Sequence, residues 1–188
     1  MPLSVVLDAD VLIAAPLRDT LLRAAHAGLC RTCYSADILE EVRRNLVEKR
    51  GLSTDAAQRT IDRLRTFPHK EFVDASRDLI PRLATDPEDS HVLAIAIRAK
   101  ADAIVTVNVR HFPPTVLDSF QIQAQTPDEF LANLFDENSS LITQIITAQA
   151  AALMNPPLTR DQVLTNLARV APSFVRKVRD HIAANPEQ

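Results

Sequence analysis

Apolar positions along this chain change spacing several times, and each change predicts a switch between strand and helix. Val5 to Leu7, Ala103 to Val107 and a short run near Gln121 to Gln125 are compact apolar or β-branched stretches bounded by polar residues, as expected for strands buried in a parallel sheet. The run LCRTCY, residues 29–34, predicts another strand. Helical spacing covers Val11 to Ala15, Leu17 to Ala27 with a stop at Gly28, and a segment capped by Ser35 or Asp37 that runs to about Lys49 and stops at Gly51. A further helix is predicted over Thr54 to Thr66. Asp86-Pro87-Glu88-Asp89 predicts a helix start, with Asp86 as N-cap, Pro87 first in the helix and Asp89 third; that helix runs to Lys100. Pro113-Pro114 predicts a turn. Strands alternating with helices imply an α/β fold, a parallel sheet flanked by helices. From Thr126-Pro127 onward the pattern is wholly helical, over about 127–136, 138–154, 159–168 and 172–184. The expected organisation is therefore one domain over 1–126 and an all-α C-terminal extension over 127–188.

Composition narrows the chemistry. A chain of 188 residues with 46% apolar content can bury a core without disulfides. No apolar run approaches the ~20 residues of a membrane helix, and no basic leader precedes the first strand, so a cytoplasmic protein with no membrane partner is expected. Cys30 and Cys33 are too few for a structural zinc site and fall within a strand, where packing is the expected role. Net charge is −3, so any nucleic-acid contact must come from local basic patches rather than a global field. Aromatics make up 4%, which excludes extensive base stacking on protein rings.

Four segments end a strand or open a helix with an acidic or amide side chain: VVLDAD at Asp8, SADILEEV at Glu41, DPEDSHVLAIAI at Asp89 and AIVTVN at Asn108. Open α/β sheets bind ligands in the crevice at the carboxyl ends of their strands, where Asp8 and Asn108 are expected. Carboxylates gathered there repel one another unless protonated or bridged by a cation, which implies a metal. Each also has a plainer reading: Asp8 as a helix cap, Asp89 as a capping-box acid, Asn108 as a turn residue. Asp10 is open between capping, supporting Asp8 and direct ligation. Glu41 is favoured over Glu40 because Ile38, Val42 and Leu46 place it beside the buried face. His91 and His111 lie near Asp89 and Asn108 in sequence and are weighed as phosphate contacts or as structural groups. Arg110, Arg43 and Arg44 are the candidates for phosphate-facing cations.

Taken together, these segments resemble the motifs of the PIN-domain nucleases over about residues 3–126. Asp8-Ala9-Asp10 matches the opening motif. Ser35, Ile38, Leu39, Glu41 and Val42 match the second, and Asp86, Asp89, Val92, Leu93 and Ala96 the third. Ala103 to Thr106 with Asn108 match the fourth. The resemblance implies a three-layer α/β/α fold and a divalent-metal-dependent endoribonuclease, often the VapC-type toxin of a bacterial toxin–antitoxin pair. It further implies Asp8, Glu41 and Asp89 as ligands of Mg²⁺ or Mn²⁺, largely through water, with Asn108 completing the catalytic set. Many members have Asp where this chain has Asn108, so one firmly held metal is expected rather than two. A water activated by the metal would attack phosphorus in line. The implied partners are a structured RNA substrate, of the tRNA or ribosomal RNA class, and a cognate antitoxin protein.

Two other readings compete with it. Asp8 and Asp10 after an apolar strand also resemble the opening of haloacid-dehalogenase-type phosphatases, but the later motifs of that family are absent. A non-catalytic PIN-like module that binds RNA or protein is encouraged by Asn108. The extension offers apolar faces at Ala148, Ala151, Ala152 and Leu153 and at Val163, Leu164, Leu167 and Val170, available to pack on the core, build a homodimer or receive an antitoxin segment. Arg176, Lys177 and Arg179 form a small basic cluster beside them.

Overall fold

The computed structural model describes residues 2–68, 70–74 and 89–185. Five parallel strands, β1 (Leu3–Leu7), β2 (Cys30–Tyr34), β3 (Lys70–Phe72), β4 (Ala103–Val105) and β5 (Gln123–Gln125), form one sheet in the order β3-β2-β1-β4-β5. The chain lays β1, β2 and β3 outward in one direction and returns to place β4 on the other side of β1. That reversal opens a crevice at the carboxyl ends of β1 and β4, the place where an open parallel sheet receives a ligand. Val5, Val6, Leu7, Ile104 and Val105 are fully buried, which explains why these strands read as continuous apolar runs.

Helices α1 (Ala9–Ile13), α2 (Ala15–His26), α3 (Ala36–Glu48), α4 (Thr54–Thr66), α5 (Ser90–Ala99) and α6 (Pro114–Leu117) flank the sheet in a three-layer α/β/α arrangement. Two carry clear start signals: Ser35 Oγ accepts from the Ile38 N–H, and Ser53 Oγ from the Ala56 N–H. The stops are equally local, since Gly28 and Gly51 lie at positive φ. Three expected boundaries move. Helix α1 begins at Ala9 rather than Val11, because Asp8 itself is the cap. The Pro113-Pro114 turn is instead the start of the short helix α6, Pro114 supplying the fixed φ of a first helical residue. Strand β4 stops at Val105, and Val107 is exposed. The cap expected at Asp86-Pro87-Glu88 lies outside the described residues; α5 starts at Ser90 with Asp89 as its N-cap residue, not third in the helix.

Residues beyond 126 form α7 (Pro127–Glu137), α8 (Ser139–Ala152), α9 (Arg160–Leu167) and α10 (Pro172–Ala184). The side chain of Asp128 accepts from the Ser173 and Phe174 N–H groups and so caps α10, while Phe174 is fully buried edge-on against Phe135. The extension is tied to α2 by a buried polar contact: Thr20 Oγ donates to Gln149 Oε1 at 2.7 Å, and Gln149 Nε2 donates to the Pro16 carbonyl at 3.0 Å. That contact decides which face of α8 meets the core. The buried face of α8 is Ile142, Ile145, Ile146, Gln149 and Ala150, leaving Ala148, Ala151 and Ala152 outside, because a satisfied polar pair rather than the alanine stripe faces the core. On α9, Val163, Leu164 and Leu167 are buried as expected, whereas Val170 is not. No helix among the described residues is long and apolar enough to cross a membrane.

Candidate metal centre

Asp8 ends β1 inside the crevice and is 3% exposed. Both of its carboxylate oxygens are held: Thr106 Oγ donates to Oδ2 at 2.6 Å, and the Ala9 N–H donates to Oδ1 at 2.6 Å. Thr106 comes one residue after β4 and is itself fully buried, so the two neighbouring strands fix this carboxylate from both sides. The same Thr106 oxygen accepts from the Asn108 N–H at 3.0 Å, which turns the chain and sends Asn108 across the crevice. There Asn108 Nδ2 donates to Asp10 Oδ2 at 3.0 Å, and Lys49 Nζ stands 3.9 Å from the other Asp10 oxygen.

The remaining two acids enter from helices. Glu41 projects from α3, with His91 Nε2 3.7 Å away and Asn45 Nδ2 at a long 3.5 Å. His91 Nε2 is buried and, among the described residues, forms no hydrogen bond. Asp89, at the start of α5, makes no cap bond with its side chain and instead contacts His111 Nδ1 at 2.5 Å. Arg110 Nε lies 3.4 Å from His111 Nε2. The capping box expected between Asp86 and Asp89 involves a residue outside the described ones.

Electrostatics mark the edge as strained. Asp8 is pushed up from 3.8 to about 6, chiefly because burial penalises its charged form. The charges of Asp89 and Asp10 push the same way, and the bonds from Thr106 and Ala9 pull back without cancelling the rise. A divalent cation suits such an edge: the donors are hard carboxylate oxygens, and positive charge would offset the repulsion that raises Asp8. Among the described residues no three His, Cys, Asp or Glu groups stand close enough for one ion to bind all of them directly.

One of the three candidate phosphate-facing cations, Arg43, and two members of the basic cluster on α10 are engaged with acids. Arg43 forms a two-pronged ion pair with Glu40, Lys177 pairs with Asp136 and Arg179 with Asp161. Cys30 and Cys33 are buried free thiols, and burial raises the Cys30 thiol to about 12, consistent with packing. Two features went unread in the sequence. Thr106 looked like an ordinary strand former, although its place two residues before Asn108 was a usable signal. The Asp10–Asn108 bond joins residues 98 apart and had none.

Comparison with known proteins agrees with this geometry. The PIN domain family model matches residues 4–110, and the VapC50 C-terminal domain model matches residues 127–180. The protein named "Putative ribonuclease VapC50" of Mycobacterium tuberculosis (strain ATCC 25618 / H37Rv) is 36% identical over 108 residues, 57% of this chain and 64% of that protein. The chain thus spans less than two thirds of the relative's length. With a matching core, a matching extension and an acidic crevice at the strand-order reversal, the chain belongs to the PIN-domain family.

Proposed function

We propose that this chain is a divalent-metal-dependent endoribonuclease, the toxin of a type II toxin–antitoxin pair, acting in the cytoplasm on structured RNA of the tRNA or ribosomal class. Residues 1–126 form its nuclease domain and 127–188 its helical extension. The observation that carries this reading is Asp8, buried at the β1/β4 crevice and pushed up to about 6 beside Asp89 and Asp10. A carboxylate held in that state is poorly explained as a cap, since an exposed Asp caps a helix equally well without the burial penalty. The printed name of the M. tuberculosis relative supports a ribonuclease.

In this proposal Asp8, Glu41 and Asp89 hold Mg²⁺ or Mn²⁺. The bound ion supplies Lewis-acid stabilisation of the charge that builds on the phosphate oxygens. The chain's own residues do the positioning. Thr106 and the Ala9 N–H keep the Asp8 carboxylate from turning, and His111 braces Asp89. Asn108, neutral where a fourth acid would add repulsion, holds Asp10 and completes the catalytic set. The carboxylates would orient a water for in-line attack on phosphorus; as the new P–O bond forms, the P–O bond to the sugar oxygen opposite breaks, and the water's proton leaves to the acidic edge while the departing oxygen takes one up from solvent. A cognate antitoxin is the expected protein partner. Incubating the purified chain with total cellular RNA and Mn²⁺ or Mg²⁺ tests the reading: discrete fragments that disappear in EDTA support it, and RNA left intact across a wide range of metal concentration refutes it.

A further inference from the structure

Two adjoining cavities, about 430 and 460 Å³, lie where α2, α3 and α4 meet the extension. They share Pro16, Arg18 and Asn166, so they form one trough, with α9 as a wall. Their floor is apolar, but their charge is one-sided: Arg18, Arg23, Arg50, Arg63 and Arg169 against Asp19 alone. Asp19 is neutralised by its pair with Arg23. Among the described residues, Arg50, Arg63 and Arg169 have no carboxylate within ion-pair distance, unlike Arg43, Lys177 and Arg179. Arg18 is half-buried and donates to the Leu12 carbonyl at 2.5 Å; burial lowers its guanidinium, Asp19 opposes the shift and Arg63 adds to it. In a chain of net charge −3, four unneutralised arginines around one trough are a concentration, not a background.

The trough also lies close to the acidic crevice. Asp8 caps α1, and Ile13 at the other end of this five-residue helix lines the trough. That is roughly 7 Å along a helix axis. On α3, Lys49 reaches Asp10 while its neighbour Arg50 lines the trough. A phosphodiester chain entering the crevice meets Asp8, Asp10, Glu41 and Asp89, which repel every phosphate not bridged by a cation. Its flanking phosphates must be held beside that edge, and arginine forks are matched to phosphate oxygens. An acidic peptide would also suit arginines over an apolar floor, but its binding would not call for arginines placed within one short helix of the acidic edge, whereas a phosphodiester chain cut at that edge needs them there.

Resting on the nuclease reading above, we propose that the trough carries the RNA strand flanking the scissile phosphate, with Arg50, Arg63 and Arg169 contacting its phosphates. The extension then serves substrate binding, by closing one side of the trough.

The test is fluorescence anisotropy of the full chain in EDTA with a fluorescein-labelled, mixed-sequence single-stranded 20-nucleotide RNA. It compares wild type with Arg50→Gln/Arg63→Gln/Arg169→Gln and with a control, Arg65→Gln/Arg98→Gln/Arg176→Gln, whose exposed arginines line neither cavity. Three single-strand phosphate contacts at about 0.7 each predict that the trough variant loses about two units of salt slope, on the order of 100-fold in affinity at 0.1 M salt. The control should keep the wild-type slope. Equal losses in both variants, or none in the trough variant, overturn the proposal. So does a trough variant that binds RNA normally yet loses a fluorescent Glu-rich amphipathic peptide, because the surface is then a protein site. Cleavage of total RNA by wild type in Mn²⁺ is scored separately. Cleavage with unaltered binding by the trough variant removes the groove and keeps the nuclease; arginine-dependent binding without cleavage does the reverse; neither binding nor cleavage removes both.

Discussion

Replacing Asp8 with asparagine should stabilise the metal-free protein. Asp8 rises from 3.8 to about 6, and at about 1.4 kcal/mol per pH unit its ionisation opposes folding by about 3 kcal/mol at neutral pH. The sign follows from proton linkage: the folded state holds this proton more tightly than the unfolded chain, so the stability it confers is complete below pH 3.8 and is lost as pH rises through about 6. The replacing side chain would carry no charge, but its amide nitrogen cannot accept, so it cannot keep both the Thr106 and Ala9 bonds. That loss costs roughly 1 kcal/mol, leaving a net gain of about 1–2 kcal/mol. For a chain of this size the melting temperature should rise by roughly 3–6 °C at pH 7.5 in EDTA. By pH 5 the ionisation penalty should fall to about 1.6 kcal/mol, so the net gain should shrink to roughly 0.6 kcal/mol or less, since most of the folded protein then carries the proton on Asp8. Thermal melts of both proteins at the two pH values decide the matter. A variant that melts below wild type by the same margin at pH 7.5 and pH 5 would refute the reasoning, because Asp8 would then contribute only its hydrogen bonds.

Thr106→Val keeps the shape and removes the donor that favours ionised Asp8; stability at pH 7.5 should drop by about 1.5–3 kcal/mol in urea unfolding, and the acid limb of the activity profile should move to higher pH. Asn108→Asp sets a fourth carboxylate against Asp10 in place of a 3.0 Å hydrogen bond. It should lower the metal-free melting temperature and tighten Mn²⁺ binding by titration calorimetry, on the order of tenfold. Gln149→Ala breaks the buried tie between the extension and α2, so urea unfolding should show a loss of about 2 kcal/mol. Millimolar Mg²⁺ should raise the melting temperature of wild type but not of Asp8→Asn, since a ligand that binds only the folded state stabilises by mass action.

Helix Thr54–Thr66 and the four helices of the extension could be read almost to the residue; the caps of four of them are local, Ser53, Thr126 with Glu129, Asn138, and Thr159 with Gln162 acting within four positions, whereas α10, capped from far away by Asp128, was legible from its apolar spacing alone. The positions of Asp8 and Asn108 were legible for a related reason, since an apolar run that stops at a polar residue is a short-range signal. Their partners were not. Thr106 reaches Asp8 across a strand pair, and His111 reaches Asp89 across 22 positions, distances over which a single sequence carries no pairing information. The trough arginines escaped for a stronger version of the same cause, being gathered from α2, α3, α4 and the end of α9. The tail cluster at Lys177 and Arg179 attracted notice by its spacing, yet acids from α7 and α9 neutralise it. Charge density along the chain could not by itself show this pairing in space. The alanine face of α8 could not be assigned from the sequence because alanine fits core and surface alike, while Gln149, polar in the sequence, is 1% exposed.

The most direct test of the nuclease account is cleavage of total cellular RNA in Mn²⁺ by wild type and Asp8→Asn side by side, each first shown to be folded by its melt. The account predicts discrete fragments from wild type and none from a variant that is at least as stable. Equal cleavage by both would contradict it, since the RNA would then be cut by something other than the crevice that Asp8 anchors.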